Sequence, residues 1–165
     1  MTLAEVNGLE RPDFVRALGW IFEDSPWVAE RVWASRPFET LAALHKEMAE
    51  IVQHASTEEQ LALLRAHPDL GTRARISPAS SGEQKGVGLD ALDEDEFELF
   101  EAHNRQYREK FGFPFLYAVK GSARQDILLA LILRLDSTPE EELHQALWEI
   151  GRIAWFRLQS LFEES

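Results

Sequence analysis

The chain has 165 residues and a formal net charge of −12 at pH 7, with 45% hydrophobic and 28% charged residues. These values are typical of a single globular domain that can bury a core, and the negative charge argues against binding to nucleic acid or to an anionic membrane. The chain contains no cysteine, which excludes disulfides, thiolate metal sites and a cysteine nucleophile.

The N-terminal sequence, MTLAEVNGLE, lacks the basic and apolar regions of a secretory signal peptide. No apolar run in the chain reaches the roughly 20 residues that are needed to cross a bilayer. The C-terminal sequence, FEES, differs from a peroxisomal signal of the Ser-Lys-Leu type. We therefore expect a cytoplasmic protein.

Helix signals follow one another through the first part of the chain. Ser25 and Pro26 are typical of an N-cap and a first helical residue before WVAERVWASR. Apolar residues recur at helical spacing over residues 38–55, and STEE at residues 56–59 forms a capping-box pattern before QLALLRAH. A proline follows, which predicts that this third helix ends at His67.

The stretch RAHPDLGTRARISPASSGEQ, residues 65–84, interrupts the helical pattern with prolines, glycines and serines. Its end is typical of the start of a short helix, with Ser80 and Ser81 as caps and Glu83 and Gln84 in the first turn. Capping alone would account for these residues. The free N–H groups of such a turn would also suit carboxylate or ureido oxygens.

The remaining segments are helical except for a short aromatic one. Residues 93–112, DEDEFELFEAHNRQYREKFG, begin with acids and end with basic residues and a glycine, the order that a helix dipole favours. FPFLYAVKG follows and is predicted to be extended. Ser122 is expected to cap ARQDILLALILRLD, and TPEE at residues 138–141 is expected to begin a last helix that ends near Phe162.

No sustained two-residue alternation, hairpin signal or internal repeat occurs along the chain. The sequence therefore predicts one all-α domain over residues 1–165, a compact bundle of about six to eight helices.

Arg157 differs from its surroundings in the last helix. The apolar stripe predicted there consists of Leu143, Leu147, Ile150, Ala154, Leu158 and Leu161. Arg157 continues the seven-residue spacing of Leu143 and Ile150, so it is expected to point into the stripe, where a guanidinium is costly unless it is paired. It could reach solvent or pair with a core carboxylate, or it could hold a substrate carboxylate at the floor of a pocket.

His67 is expected at the C-terminal end of a helix, near its apolar face, where the helix dipole favours the imidazolium. It could be a cap or a packed residue, or it could transfer protons. The other histidines show no spacing typical of metal ligands, so we expect no metal site. They are His45, His54, His103 and His144.

Three motifs occur in a fixed order: a His-Pro-Asp-Leu, a Ser-x-x-Glu-Gln about a dozen residues later, and a Phe-Gly-Phe-Pro-Phe segment. In their context, HPDLGTRARISPASSGEQKGVGLDAL and YREKFGFPFLYAVKG, they resemble the signature of the OHCU decarboxylase family. The resemblance extends over nearly the whole chain. OHCU is 2-oxo-4-hydroxy-4-carboxy-5-ureidoimidazoline, an intermediate of urate degradation in purine catabolism.

The resemblance implies an all-helical, homodimeric carboxy-lyase that converts OHCU to (S)-allantoin and CO2 without a cofactor. By matching residues, it implies that His67 is the general acid/base, that Glu83 is its acidic partner and that Arg157 holds the substrate. It also implies a set of substrate-binding residues: Pro68, Ser80, Ser81, Gly82, Glu83, Gln84, Phe115, Leu116, Tyr117, Ala118 and Val119.

The chemistry of OHCU is compatible with an enzyme that has no cofactor, because a ring C=N next to the carboxylate-bearing carbon can accept the electrons released with CO2. Two alternatives are open. The chain could be a ureide-binding helical protein that has lost or altered this activity, or it could be a dimeric helical interaction module without a ligand.

Overall fold

The computed structural model describes residues 1–163. Within this range the chain forms nine α-helices and one 3₁₀ helix, and it contains no strand. The α-helices are α1 (Leu3–Asn7), α2 (Arg11–Leu18), α3 (Trp27–Val32), α4 (Leu41–Gln53), α5 (Thr57–Ala66), α6 (Pro78–Gly86), α7 (Glu94–Phe111), α8 (Arg124–Arg134) and α9 (Pro139–Glu163). The 3₁₀ helix, Trp33–Ser35, continues α3.

The all-α prediction is confirmed. The described chain has more helices than the six to eight expected, because the short helices α1 and α2 precede the first helix predicted from the sequence. No helix in residues 1–163 is both long enough and apolar enough to cross a membrane.

The helices form two compact units. The first contains Met1–Ala66 and the described residues from Ile150 onward, and the second contains His67–Glu149. Helix α9 therefore supplies its first part to the second unit and its remaining part to the first. In the first unit, α3 contacts α2 and α4, and in the second unit α7 contacts α8.

Several predicted helix ends are confirmed by side-chain capping. The Ser56 hydroxyl accepts a hydrogen bond from Glu59 N–H at 3.1 Å, and the Thr138 hydroxyl accepts one from Glu141 N–H at 3.2 Å. Helix α7 ends at Gly112, whose φ of 80° is a left-handed conformation that glycine adopts without strain.

Two predicted serine caps are wrong. The Ser25 hydroxyl donates to the Glu23 carbonyl oxygen at 2.7 Å, and α3 has no side-chain cap. Helix α8 is preceded by Ala123 and also lacks a side-chain cap, whereas the Ser122 hydroxyl lies 3.4 Å from the Tyr117 hydroxyl. In both cases the hydroxyl contacts another oxygen and does not accept from a helical N–H.

The buried face of α9 differs in part from the predicted stripe. Ile150, Ala154 and Leu158 are buried as expected, and so is Arg157. Leu143, Leu147 and Leu161 are only half-buried. In the first half of the helix the buried positions are instead Glu142, Ala146 and Glu149, so two carboxylates lie on the face that faces the interior.

Candidate active site

His67 is the residue directly after α5, and its side chain is buried. The next residue, Pro68, is half-buried and cannot continue the helix, because it has no N–H to donate. The chain therefore leaves the helix at His67 and enters a turn over residues 67–71. His67 is the first residue of the second unit.

Two amide side chains hold this turn. Gln84 of α6 accepts a hydrogen bond from Gly71 N–H at 2.9 Å and donates one to the Asp69 carbonyl oxygen at 3.1 Å. Asn104 of α7 donates to the Leu70 carbonyl oxygen at 2.9 Å. Three consecutive residues after Pro68 are thus fixed through their backbone, which restricts how His67 can move.

Gly71 is required by the shape of the turn. Its φ is +78°, and a Cβ at this position would lie 2.8 Å from Leu92 Cδ1. Both the left-handed backbone and the close packing disfavour any larger residue. Glycine therefore lets the turn keep its left-handed backbone and pack against Leu92 without displacing that side chain.

Asp69 adds an ion pair at the edge of the turn. Its carboxylate lies 3.2 Å from Arg108 Nη2 of α7. Burial raises the pKa of Asp69 above its usual value, and the charge of Arg108 opposes that change. The pair joins the turn to α7 a second time, after the bond from Asn104.

Helix α6 begins earlier than predicted. Its N-cap is Ser77, whose hydroxyl accepts from Ser80 N–H at 3.2 Å, while the Ser77 carbonyl oxygen accepts from Ser81 N–H at 2.8 Å. Ser80 and Ser81 are therefore not caps, and Glu83 lies in the second turn of the helix. The N–H groups of both serines already have partners within the helix.

The predicted binding residues of α6 divide between two faces. Ser80 and Gln84 are buried and Glu83 is half-buried, while Ser81 and Gly82 are exposed. Residues three and four apart share one face of a helix, so Glu83 lies on the same face as Ser80. Ser80 lies on the same face as Gln84, which contacts the turn after His67, whereas Ser81 and Gly82 are exposed.

The segment Phe115–Val119 lies in the same unit. Phe115, Leu116, Ala118 and Val119 are buried, and Tyr117 is half-buried. The Phe115 and Tyr117 rings are stacked, with centroids 6.0 Å apart and planes at 17°. The segment forms no regular secondary structure, so its polar backbone groups need other partners.

Arg157 lies in the first unit, where its side chain is only 3% exposed. Its Nη2 lies 2.9 Å from a carboxylate oxygen of Glu23, and its Nη1 donates to the Trp20 carbonyl oxygen at 3.2 Å. Of the alternatives that the sequence left open, pairing with a core carboxylate is therefore observed. The guanidinium is held in one orientation by Glu23 and by the Trp20 and Ile21 carbonyl oxygens.

The structure thus places the predicted residues in two groups. His67, Pro68, residues 80–84 and residues 115–119 belong to the second unit, and Arg157 belongs to the first. Within residues 1–163, no group of three or more His, Asp or Glu side chains converges on a point where a metal ion could bind.

Several residues that hold these segments were not predicted from the sequence: Glu23, Asn104, Arg134, Glu142 and Glu149. Only the last two carried a signal. They are seven residues apart in α9, and Arg157 follows eight residues later, which is a repeat of charged residues on one helix face.

The family model described as OHCU decarboxylase matches residues 7–159 of the chain. The chain belongs to the OHCU decarboxylase family. Among relatives of this family, the 2-oxo-4-hydroxy-4-carboxy-5-ureidoimidazoline decarboxylase of Haloferax volcanii is 46% identical over 162 residues, which cover 98% of this chain and 96% of the relative. The decarboxylase of Mus musculus is 36% identical, with 98% and 93% covered.

Some OHCU decarboxylase relatives are longer proteins. The uric acid degradation bifunctional protein PucL of Bacillus subtilis is 46% identical over 163 residues, which cover 99% of this chain and 33% of the relative. The chain thus spans about a third of the length of such bifunctional relatives.

Solved structures share the fold. A crystal structure of (S)-allantoin synthase superposes with a TM-score of 0.81 at 33% identity, covering 98% of this chain and 54% of the other. A crystal structure of OHCU decarboxylase in the presence of (S)-allantoin gives a TM-score of 0.73. Its identity is 22%, so this second likeness supports the all-helical fold alone.

Proposed function

We propose that the protein is a decarboxylase that converts OHCU to (S)-allantoin and CO2 in urate degradation, without a cofactor. The observation that supports this most strongly is the 46% identity to the Haloferax volcanii decarboxylase, which extends over nearly all of both chains.

The reaction needs little beyond correct placement of protons. When the bond between CO2 and the carbon that bears the hydroxyl breaks, its electrons form a double bond to the neighbouring carbon, and the C=N electrons move to nitrogen. That nitrogen takes up a proton. The hydroxyl then loses its proton to become a carbonyl, and the neighbouring carbon is protonated on one face. One proton is consumed overall. The face on which the carbon is protonated in the last step determines that the product is (S)-allantoin.

In this proposal His67 transfers the protons. A histidine suits general acid–base work near neutral pH, and such catalysis contributes typically about 10²–10⁴-fold to a rate. The turn that follows His67 is fixed by Gln84 and Asn104, so the imidazole is held by a rigid support. A fixed imidazole would reach only one face of a bound ring, which accounts for the stereospecificity.

Glu83 and Arg157 have supporting roles in the same proposal. Glu83 is the acidic partner of His67, and it lies on the helix face shared with Ser80. Arg157 holds an anionic or carbonyl oxygen of the substrate, with its guanidinium oriented by Glu23.

The remaining predicted residues complete the proposed site: Pro68, Ser80, Ser81, Gly82, Gln84, Phe115, Leu116, Tyr117, Ala118 and Val119. The aromatic and apolar residues would exclude water, and the polar and backbone groups would satisfy the ureido and ring amides. We also propose that the protein is a homodimer, as the family resemblance implies, and that it is cytoplasmic.

The proposal is tested with freshly generated OHCU, because this substrate also decays without an enzyme. CO2 release and optical rotation are followed with and without the protein, and (S)-allantoin should form faster and in excess only with the protein. A racemic product at the uncatalysed rate would contradict the proposal. A thermal shift with allantoin but no turnover would instead indicate a ureide-binding protein.

The role of His67 is tested by His67→Asn, which keeps a polar side chain of similar size but cannot transfer protons near neutral pH. We expect kcat to fall about 10²–10⁴-fold. The exposed His54, whose ring bonds to the Glu50 carbonyl oxygen, provides the matched control His54→Asn, which should leave kcat unchanged. A folded His67→Asn protein with full (S)-selective turnover would rule out the assignment.

A further inference from the structure

Two charged side chains form hydrogen bonds with the backbone of the segment Phe115–Val119. Arg134 Nη1 of α8 donates to the Leu116 carbonyl oxygen at 2.7 Å, and Glu149 Oε2 of α9 accepts from Ala118 N–H at 2.8 Å. Hydrogen bonds to charged groups are stronger than those between neutral groups. Two backbone groups, two residues apart, are therefore fixed although the segment belongs to no helix or strand.

Arg134 is itself fixed on its other side. Its Nε lies 2.5 Å from Glu142 Oε1, and the Glu142 side chain is only 2% exposed. The guanidinium carbon also lies 4.5 Å from the centroid of the Phe115 ring. One planar group thus joins a buried carboxylate, a backbone carbonyl and an aromatic face of the segment, which the fork geometry of arginine permits and lysine cannot reproduce.

Tyr107 is a second hydrogen-bond donor to the Glu142 carboxylate. Its hydroxyl donates to Glu142 Oε1 at 2.5 Å, and its ring packs edge-on against Phe115 with centroids 5.5 Å apart. Burial, together with the Glu142 carboxylate, raises the pKa of Tyr107 well above its usual value, so the hydroxyl stays a donor. Glu142 is therefore held by two donors and orients Arg134.

We propose that Arg134 is a positioning residue for the decarboxylation: anchored by Glu142, it fixes the Leu116 carbonyl so that the segment Phe115–Val119 is ordered before substrate binds. This inference rests on the proposed function, in which that segment contacts the ureide. A flexible segment would have to lose conformational freedom on binding, and pre-ordering removes that cost from the affinity.

Two substitutions separate positioning from stability. Arg134→Lys keeps the positive charge but has one ammonium group, which will stay with the desolvated Glu142 carboxylate and release the Leu116 carbonyl. Thr40→Ala is the control for stability, because it removes the side-chain cap of α4 in the first unit and touches neither Arg134 nor the segment.

We expect Arg134→Lys to raise the KM for OHCU and the Kd for allantoin about tenfold, the change produced by losing one charge-assisted hydrogen bond. The kcat should change less than KM, because the proton-transferring His67 is untouched. Thr40→Ala should lower the melting temperature and leave KM within about twofold of wild type. A KM for Arg134→Lys equal to that of wild type would overturn the proposal.

Amide hydrogen exchange tests, independently of turnover, whether the segment Phe115–Val119 is ordered before a ligand binds. In the ligand-free wild type, the Ala118 amide should exchange slowly, and in Arg134→Lys it should exchange about tenfold faster. An Ala118 amide that is protected only after allantoin is added would overturn the inference, whether or not the variant folds. If wild type bound allantoin but did not decarboxylate OHCU, the proposed function would fail. The exchange measurement would still test whether Arg134 orders the segment through the Leu116 carbonyl.

Discussion

At the scale of single residues, the charged groups of this protein differ sharply in what surrounds them. The Arg157 and Glu23 side chains are 3% and 5% exposed, whereas those of Arg105 and Glu101 on α7 are 59% and 53% exposed. Water competes for the second pair and salt screens it, so it contributes little to stability. The first pair is desolvated, and each partner depends on the other.

This contrast gives a prediction for Glu23→Ala. The substitution leaves the buried Arg157 guanidinium without its carboxylate and should lower the free energy of unfolding by about 3 kcal/mol. The bonds from Arg157 to the Trp20 and Ile21 carbonyl oxygens limit the loss to the lower part of the usual range. The change in the free energy of unfolding is measured by urea denaturation, with circular dichroism as the probe.

Glu101→Ala is the matched control, since it is the same substitution in an exposed ion pair within a helix. We expect it to change the free energy of unfolding by no more than about 0.5 kcal/mol. Equal losses for the two variants would mean that burial of the Arg157–Glu23 pair has no energetic consequence. That result would also weaken the argument that Glu23 orients Arg157.

At the scale of helices and loops, the capping boxes predicted at Ser56 and Thr138 form, whereas the caps predicted at Ser25, Ser80 and Ser122 do not. The capping boxes at Ser56 and Thr138 each have a serine or threonine and a glutamate three residues later, and both form. Ser122 was predicted from a hydroxyl alone and does not cap α8. A hydroxyl can bond to any oxygen or N–H nearby, so tertiary contacts decide its partner.

The register of α9 shows a second limit. The apolar residues Leu143 and Leu147 predicted the buried face, yet Glu142 and Glu149 are buried in their place. Hydrophobic periodicity assumes that a carboxylate faces solvent. It cannot anticipate a carboxylate whose partners, such as Tyr107 and Ala118 N–H, lie far away in the sequence.

The helix caps give a prediction at this scale. Ser77→Ala removes the hydroxyl that accepts from Ser80 N–H at the start of α6 and should lower the free energy of unfolding by about 1 kcal/mol. Ser122→Ala removes a hydroxyl that caps no helix and should change it by less than about 0.5 kcal/mol. Chemical denaturation of both variants makes the comparison, and a larger loss for Ser122→Ala would contradict the assignment of the caps.

At the scale of the whole molecule, the sequence could predict the helical class, and the family resemblance supplied the candidate site residues as a hypothesis. They could not predict the bonds that hold these residues, because the partners are distant along the chain. Gln84 bonds to Asp69 and Gly71, Arg134 bonds to the Leu116 carbonyl, and Arg157 pairs with Glu23. Such pairs follow from the packing of helices, which no local pattern records.

The organisation of the chain as one domain, and its assembly as a homodimer, can be tested in one experiment. Helix α9 supplies residues to both compact units, so melting of this 25-residue helix would disrupt both. Helix formation is cooperative, and a break in the middle of α9 would add two new ends with unsatisfied backbone groups. We therefore expect circular dichroism and tryptophan fluorescence to report one coincident thermal transition.

The same transition should depend on protein concentration. Folding coupled to association is favoured by mass action, so the midpoint of a homodimer rises as the protein becomes more concentrated. Melts over a hundredfold range of concentration, on the order of 1 to 100 μM, should show that rise while the two probes stay coincident. Two separate transitions would contradict a single domain, and a midpoint that did not change with concentration would contradict the homodimer.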